Sequence, residues 1–176
     1  MKKSLIAVAL AATAVLSVSN VFAASGIVKF SGSILEDACT PTITAPNGTV
    51  DLGQHAKTDF KAANDTTSPV SFTIKLDGCP AAVTSATVMF EGDSDATNSA
   101  LLAITAETGS AKGVGINMMT ADKADLPLGG TNSYKYTLQP TPASNDLVFY
   151  AQYKATTATV TGGPANSSAN FTGDYN

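Results

Sequence analysis

The end of the chain alternates with a period of two. Ala169, Phe171, Gly173 and Tyr175 fall on one side, and Asn170, Thr172, Asp174 and Asn176 on the other. Successive side chains of a strand point to opposite faces, so this segment predicts a β-strand with one dry face and one wet face. Fraying would leave Tyr175 in water, so the strand is expected to be held against the body. The same pattern recurs upstream. Val70, Phe72, Ile74 and Leu76 share one face, and Asp77-Gly78-Cys79-Pro80 supplies the turn that follows. Further short strands are expected at 86–92, 101–104, 113–118, 134–138 and 147–153, while the polar stretch 57–68 reads as loop. No long segment shows a 3.6-residue period. Short strands punctuated by turn residues predict an all-β sandwich in one domain, with no internal repeat.

The start of the chain reads differently. Lys2 and Lys3 precede an uncharged, mostly apolar run from Leu5 to Val18, and Val21-Phe22-Ala23 carries small residues at a cleavage position. Residues 1–23 therefore read as a secretory signal. The run is broken by Thr13, Ser17, Ser19 and Asn20, too short and interrupted for a membrane span. The first 23 of 176 residues removed leave 153, Ala24 to Asn176. Without Lys2 and Lys3, 8 lysines face 14 acidic residues, a formal net charge of −6, and arginine is absent. That balance argues against nucleic acid and against an anionic membrane surface, both of which call for clustered basic residues.

Two cysteines, Cys39 and Cys79, follow the signal. An even count in an exported chain predicts one disulfide, and closing a loop of that size stabilises by about 3–4 kcal/mol. Ahead of Cys39, Val28, Phe30, Gly32 and Ile34 share a face, with Lys29, Ser31 and Ser33 on the other. Periodicity alone fits this stretch to the domain's own first strand as well as to a strand used elsewhere.

The chain offers little for catalysis. His55 stands alone in a polar segment, with no partners for a hydrolytic triad. Glu91, Asp93 and Asp95 flank Gly92, but the glycine and distal glutamate of a calcium loop are missing. Gly113-Val114-Gly115 lacks the third glycine of a nucleotide fingerprint. No catalytic residue, metal site or cofactor is expected. Four Asn-X-Ser/Thr matches, beginning at Asn47, Asn64, Asn166 and Asn170, arise easily in so Ser/Thr-rich a chain and carry no weight.

Several of these pieces, in this order, resemble fimbrial subunits of the chaperone–usher pathway, type 1 fimbria-like pilins. Gly163 is fourteenth from the end and Tyr175 penultimate, as in that family's C-terminal strand. Tyr150-Ala151-Gln152-Tyr153-Lys154-Ala155 and Val160-Thr161-Gly162-Gly163 resemble its penultimate strand and turn. Val50-Asp51-Leu52-Gly53 resembles its short strand ending in Leu-Gly, and Gly113-Val114-Gly115-Ile116 resembles its Gly-x-Gly-Ile strand. Gly32 lies seven residues before Cys39, as the glycine of the family's N-terminal extension does, and the single cysteine pair is similarly spaced.

The resemblance implies an incomplete immunoglobulin-like β-sandwich completed in trans by a donor strand. It divides the chain into a signal (1–23), an N-terminal donor-strand extension (24–38) and a pilin domain (39–176). Val28, Phe30, Gly32 and Ile34 would be the inserting face. Gly163, Ala169, Phe171, Gly173 and Tyr175 would line the acceptor groove, and the Asn176 carboxylate would be held by the basic cleft of a periplasmic pilus chaperone. The outer-membrane usher and neighbouring subunits are the other implied partners, and a surface fibre for cell adhesion is the implied product. Two alternatives stand beside this expectation. One is a minor or tip-proximal pilin whose loops bind a host receptor; the other is a monomeric secreted β-sandwich protein.

Overall fold

The computed structural model describes residues 27–32, 34, 38–130 and 133–176. The expected signal lies outside the described residues, as do 24–26, Ser33 and 35–37 of the expected extension. Contacts divide the chain into two units, Met1–Ile34 and Leu35–Asn176. The described residues of the first unit form no regular element. Ile27, Val28, Phe30 and Ile34 are 73–101% exposed.

The second unit is a two-sheet β structure. Its strands are β1 (Thr40–Ile43), β2 (Val70–Asp77), β3 (Ser85–Glu91), β4 (Leu102–Ala103), β5 (Val114–Met119), β6 (Asp125–Leu126), β7 (Tyr136–Thr137), β8 (Asn145–Ala155) and β9 (Asn170–Tyr175). One sheet runs β1-β2-β8-β5-β4, with β6 also on β5. The other runs β7-β3-β9. Every pairing is antiparallel.

Alternation explains which side of each strand turns inward. On β2, Ile74 and Leu76 are 1% and 3% exposed, and they meet Leu147 and Asn145 of β8 in register. β5 departs from alternation, for all six of its residues are buried. It has β8 along one edge and β4 and β6 along the other, and its sequence carries few charges to keep either face wet.

An aromatic cluster joins the sheets. Phe149 of β8 is 0% exposed, and its ring centre lies 5.6 Å from Phe72, 5.2 Å from Phe90 and 5.1 Å from Tyr136. Phe90 in turn meets Phe171 of β9 at 6.3 Å. Burying each large apolar side chain contributes about 1.5–3 kcal/mol. The Tyr136 hydroxyl donates to the Val148 carbonyl at 2.7 Å, a polar tie between the sheets. Burial pushes its phenol well up, so it stays a donor.

Cys39 and Cys79 form the expected disulfide. Both are buried, and the Asn145 amide packs over the bridge with its Nδ2 3.6 Å from the Cys79 Sγ. The same side chain brackets the loop before β8: its Nδ2–H donates to the Gln139 carbonyl at 2.9 Å, and its Oδ1 accepts from the Gln139 N–H at 2.7 Å.

Several elements differ from the sequence reading. Val50–Gly53 forms no ladder, although Leu52 is buried as a strand residue would be. Among the described residues its main chain has no strand alongside, and a ladder needs one. The strand expected at 134–138 contracts to Tyr136–Thr137, and that at 101–104 to Leu102–Ala103. β8 runs longer than expected, Asn145–Ala155, because β2 and β5 give it partners along its length.

Candidate functional site

A groove of about 1220 Å³ opens in the second unit. One wall is the chain from Thr44 to His55, and the opposite wall is the chain from Val160 to Ser167. Its floor carries Val70 and Phe72 of β2, Val114 and Ile116 of β5, and Tyr153 of β8. The floor is apolar because β2 and β8 turn these positions inward and β5 is buried throughout. It is open because strands cover these positions only in part among the described residues. Val70, Phe72 and Tyr153 are only half-buried, although they share faces with fully buried neighbours.

Local hydrogen bonds set both walls. Asp51 Oδ1 accepts from the Gly53 N–H at 2.9 Å, closing a turn in which Gly53 takes φ +80°, a conformation that suits glycine. His55 follows. Its Nε2–H donates to the Leu52 carbonyl at 2.9 Å, and its ring packs edge-on against Tyr153 at 5.9 Å. His55 therefore has the structural place expected of it. Tyr153 ties the floor to the far wall, its hydroxyl donating to the Ala165 carbonyl at 3.0 Å. Burial, and secondarily the charge of Asp51, raise its phenol pKa and keep that proton in place. The far wall is also anchored from Ser167 Oγ to the Ala103 carbonyl, at 2.6 Å.

The far wall explains Gly163. A Cβ there would run into the Gly109 carbonyl oxygen, the Ser110 carbonyl carbon and the Ala111 nitrogen. The chain passes too close to that loop for any side chain, so glycine is required by contact rather than by turn geometry.

β9 continues from this wall. It pairs with β3 from Ala86↔Tyr175 to Glu91↔Asn170. Among the described residues β3 is its only ladder partner, so main-chain groups along its other edge lack a strand to pair with. Phe171, Gly173 and Tyr175 face inward and are half-buried. The Tyr175 ring folds back over Gly173, where an added Cβ would lie 3.3 Å from its hydroxyl. Burial raises the Tyr175 phenol pKa.

The structure thus brings most of the expected acceptor residues to one region. Gly163 lines the groove, and Phe171, Gly173 and Tyr175 sit on the strand with the unpaired edge. Ala169 is a correction: it precedes β9 and is exposed, because the ladder with β3 begins only at Asn170. Asn176 follows the strand, and its oxygen is bonded within the chain, to Thr84 and Ser85. Sequence reasoning missed the floor as a surface. Alternation puts Val70 and Phe72 on the same inward face as Ile74 and Leu76 without setting them apart, and Phe60 stands in a polar stretch that reads as loop. Phe60 is in fact buried, with Val114 and Ala155 in a small cluster at the groove's edge. A lone phenylalanine inside a polar stretch was the available signal. Among the described residues no group of acidic, cysteine or histidine side chains could hold a metal ion.

Two sheets, a disulfide at the entrance to the first strand, a groove with an apolar floor and an unpaired edge beside it define an immunoglobulin-like sandwich short of one strand. That is the architecture of a pilus subunit. The chain belongs to the Fimbrial protein family, whose family model matches residues 28–176. It is 36% identical over 154 residues to the type 1 fimbrial subunit of Salmonella typhimurium, covering 85% of this chain and 82% of that one. The solved structure of an antigen and type I fimbria protein of Burkholderia pseudomallei matches at 31% identity and a TM-score of 0.50, covering 77% and 84% of the two chains. A solved chaperone–usher pilus structure matches at a TM-score of 0.60 over 87% of this chain and 96% of that one. At 24% identity this last likeness speaks to the fold alone. The protein is a structural fimbrial subunit, and its family is that of extracellular fibres.

Proposed function

We propose that the chain polymerises by donor-strand exchange. Val28, Phe30, Gly32 and Ile34 of one subunit enter the groove of the next and pack on Val70, Phe72, Ile116 and Tyr153. The inserted main chain pairs with the open edge of β9, and alternate side chains fill the floor. Before assembly a periplasmic chaperone covers the same groove, and the outer-membrane usher is where one strand replaces the other. A head-to-tail contact of this kind does not close on itself, so it propagates into a fibre at the cell surface.

One observation carries this reading: a groove with an apolar floor beside a strand with an unpaired edge. An edge left this way invites pairing with another chain. The extension is suited to supply it, since its described large apolar side chains, Ile27, Val28, Phe30 and Ile34, are 73–101% exposed. Burying each would contribute about 1.5–3 kcal/mol.

The test is a gel of surface-sheared protein loaded without and with boiling. Donor-strand polymers should run as a ladder unheated and collapse to one band on heating. Deleting residues 24–33 should give a subunit that folds and accepts another's extension but donates none. Loss of folding on that deletion would instead make the stripe the domain's own first strand. A single unheated band from wild-type protein would remove the polymer reading altogether.

A further inference from the structure

The sheet edges of the second unit are not alike. Among the described residues β1, β6, β7 and β9 each have a strand on one side only. β4 is flanked on its far side by the chain at 93–95, where the Ala103 N–H donates to the Asp93 carbonyl at 2.7 Å and the Asp95 N–H to the Leu101 carbonyl at 3.0 Å. β6 and β7 are two residues each, too short to template another strand. That leaves β1, with four residues, and β9, with six.

Hydrogen-bond phase shows what each edge offers. Residues of an antiparallel pair alternate between bonding the partner and pointing their main-chain groups away from it. The Thr44 N–H donates to the Thr73 carbonyl at 3.1 Å, and Ile43 stands opposite Ile74. Thr40 and Thr42 therefore bond β2, while Pro41 and Ile43 turn their main-chain groups to the open side. On β9 the bonds between Asn176 and Ser85 set the phase, and Phe171, Gly173 and Tyr175 turn theirs outward. β9 offers an N–H at each of those positions. β1 has none at Pro41, and the proline ring stands where a partner carbonyl would approach.

Pro41 is the only proline inside a strand among the described residues. Little else protects β1. Thr40, Thr42, Ile43 and Thr44 are β-branched, which suits pleated pairing, and no charged residue occurs from Thr40 to Val50. Thr40, Pro41 and Thr42 are exposed. With an N–H at position 41, an uncharged β-branched edge of this kind would template a copy of itself.

We infer that Pro41 sets the specificity of association: it stops β1 of one subunit from pairing with β1 of a second copy, and so reserves strand addition for β9. A β1–β1 pairing would be two-fold and closed, joining subunits side to side instead of head to tail. The blunting of β1 stands on the geometry alone; that the reserved edge is the one used in the fibre rests on the reading under Proposed function.

The experiment uses the full exported chain, sheared from the surface, as wild type, Pro41→Thr, Pro41→Ala and the double variant Pro41→Thr/Thr42→Lys. Sedimentation gives the mean particle mass over a range of concentration, and hydrogen exchange is read over 40–45 and 70–77. Wild-type mass should not change with concentration. Pro41→Thr mass should rise with it several-fold, and its amides over 40–45 should exchange about tenfold more slowly as they pair. Pro41→Ala restores the N–H with a weaker strand former, so its mass should rise less. Thr42→Lys sets like charges across a two-fold pairing and should return the wild-type behaviour. Exchange over 70–77 should be alike in all four, which shows that each has folded. Unchanged mass in both Pro41→Thr and Pro41→Ala overturns the inference. So does a rise in mass without slower exchange over 40–45, which would put the contact elsewhere. A single unheated band from wild type would remove the polymer reading, and the comparison with Pro41→Thr would still decide whether β1 is blunted.

Discussion

Ile74 and Leu76, at one end of β2, are 1% and 3% exposed; Val70 and Phe72, on the same face at the other end, are half-buried and line the groove. The residue types, the strand and the alternation are the same. What differs is what lies opposite. The first pair sits near the disulfide and the Asn145 bracket, where the sheets close over one another. The second pair is covered only in part: the Phe72 ring meets Phe90 of β3 at 6.0 Å, and the rest of both side chains faces the groove. A period of two states which side of a strand is meant to be dry, and it is silent on whether the same chain dries it.

Four substitutions would break or sharpen that contrast. Phe149→Ala removes the ring at the centre of the inter-sheet cluster, where both ends of the sandwich meet. It should cost about 3–5 kcal/mol, read by denaturant unfolding or as loss of exported protein. A small effect there would mean that the sandwich is not held by its aromatic centre. Cys79→Ser loosens the closed end, at about 2–5 kcal/mol. Thermal unfolding of the variant beside wild type measures it, and an unchanged midpoint would show that the closed end does not depend on the bridge.

Phe72→Ala tests the open end. Its ring is half-buried, so the subunit's own stability should fall by only about 1–2 kcal/mol, well below the Phe149 value. The ladder on an unheated gel should nevertheless shorten or vanish. If Phe72→Ala destabilises the subunit as much as Phe149→Ala, the two ends are not different in kind. Smallest of all should be Gly32→Asn. A Cβ at Gly32 meets nothing within 4 Å, so the variant's own folding should shift by less than about 0.5 kcal/mol. A peptide of residues 24–37 carrying it should still lose binding to the groove, and equal binding by both peptides would remove the case for a glycine at that position.

Much of this was legible in the residues. The alternation at Val70–Leu76 and Phe171–Tyr175 marked two strands, and each faces as read. The cysteine pair announced the bridge. Gly163 drew attention through resemblance, but its reason appeared only when the 109–111 loop was seen against it. Other features were hidden for physical reasons. Val50–Gly53 looks like a strand and is not one here, because a ladder depends on a neighbour that local pattern does not encode. Phe60 is buried through contacts with Val114 and Ala155, distant in sequence, and the polar residues around it masked that. The bonds from Thr84 and Ser85 to Asn176 span up to 92 residues and, the Thr84 hydroxyl apart, use main-chain groups, which carry no signature in sequence.

The placement of the bridge has a mechanical reading. β1 begins immediately after Cys39, and Cys79 lies on the connection between β2 and β3. A tensile load arriving through residues 24–38 therefore reaches Cys39 before it reaches β1. It crosses the sulfur atoms to Cys79 and divides between β2 and β3, each an interior strand of its sheet. β1, which among the described residues has only β2 beside it and would peel one bond after another, is thereby bypassed by part of the load. What began as a staple against unfolding also decides which strands a stretched fibre would pull on.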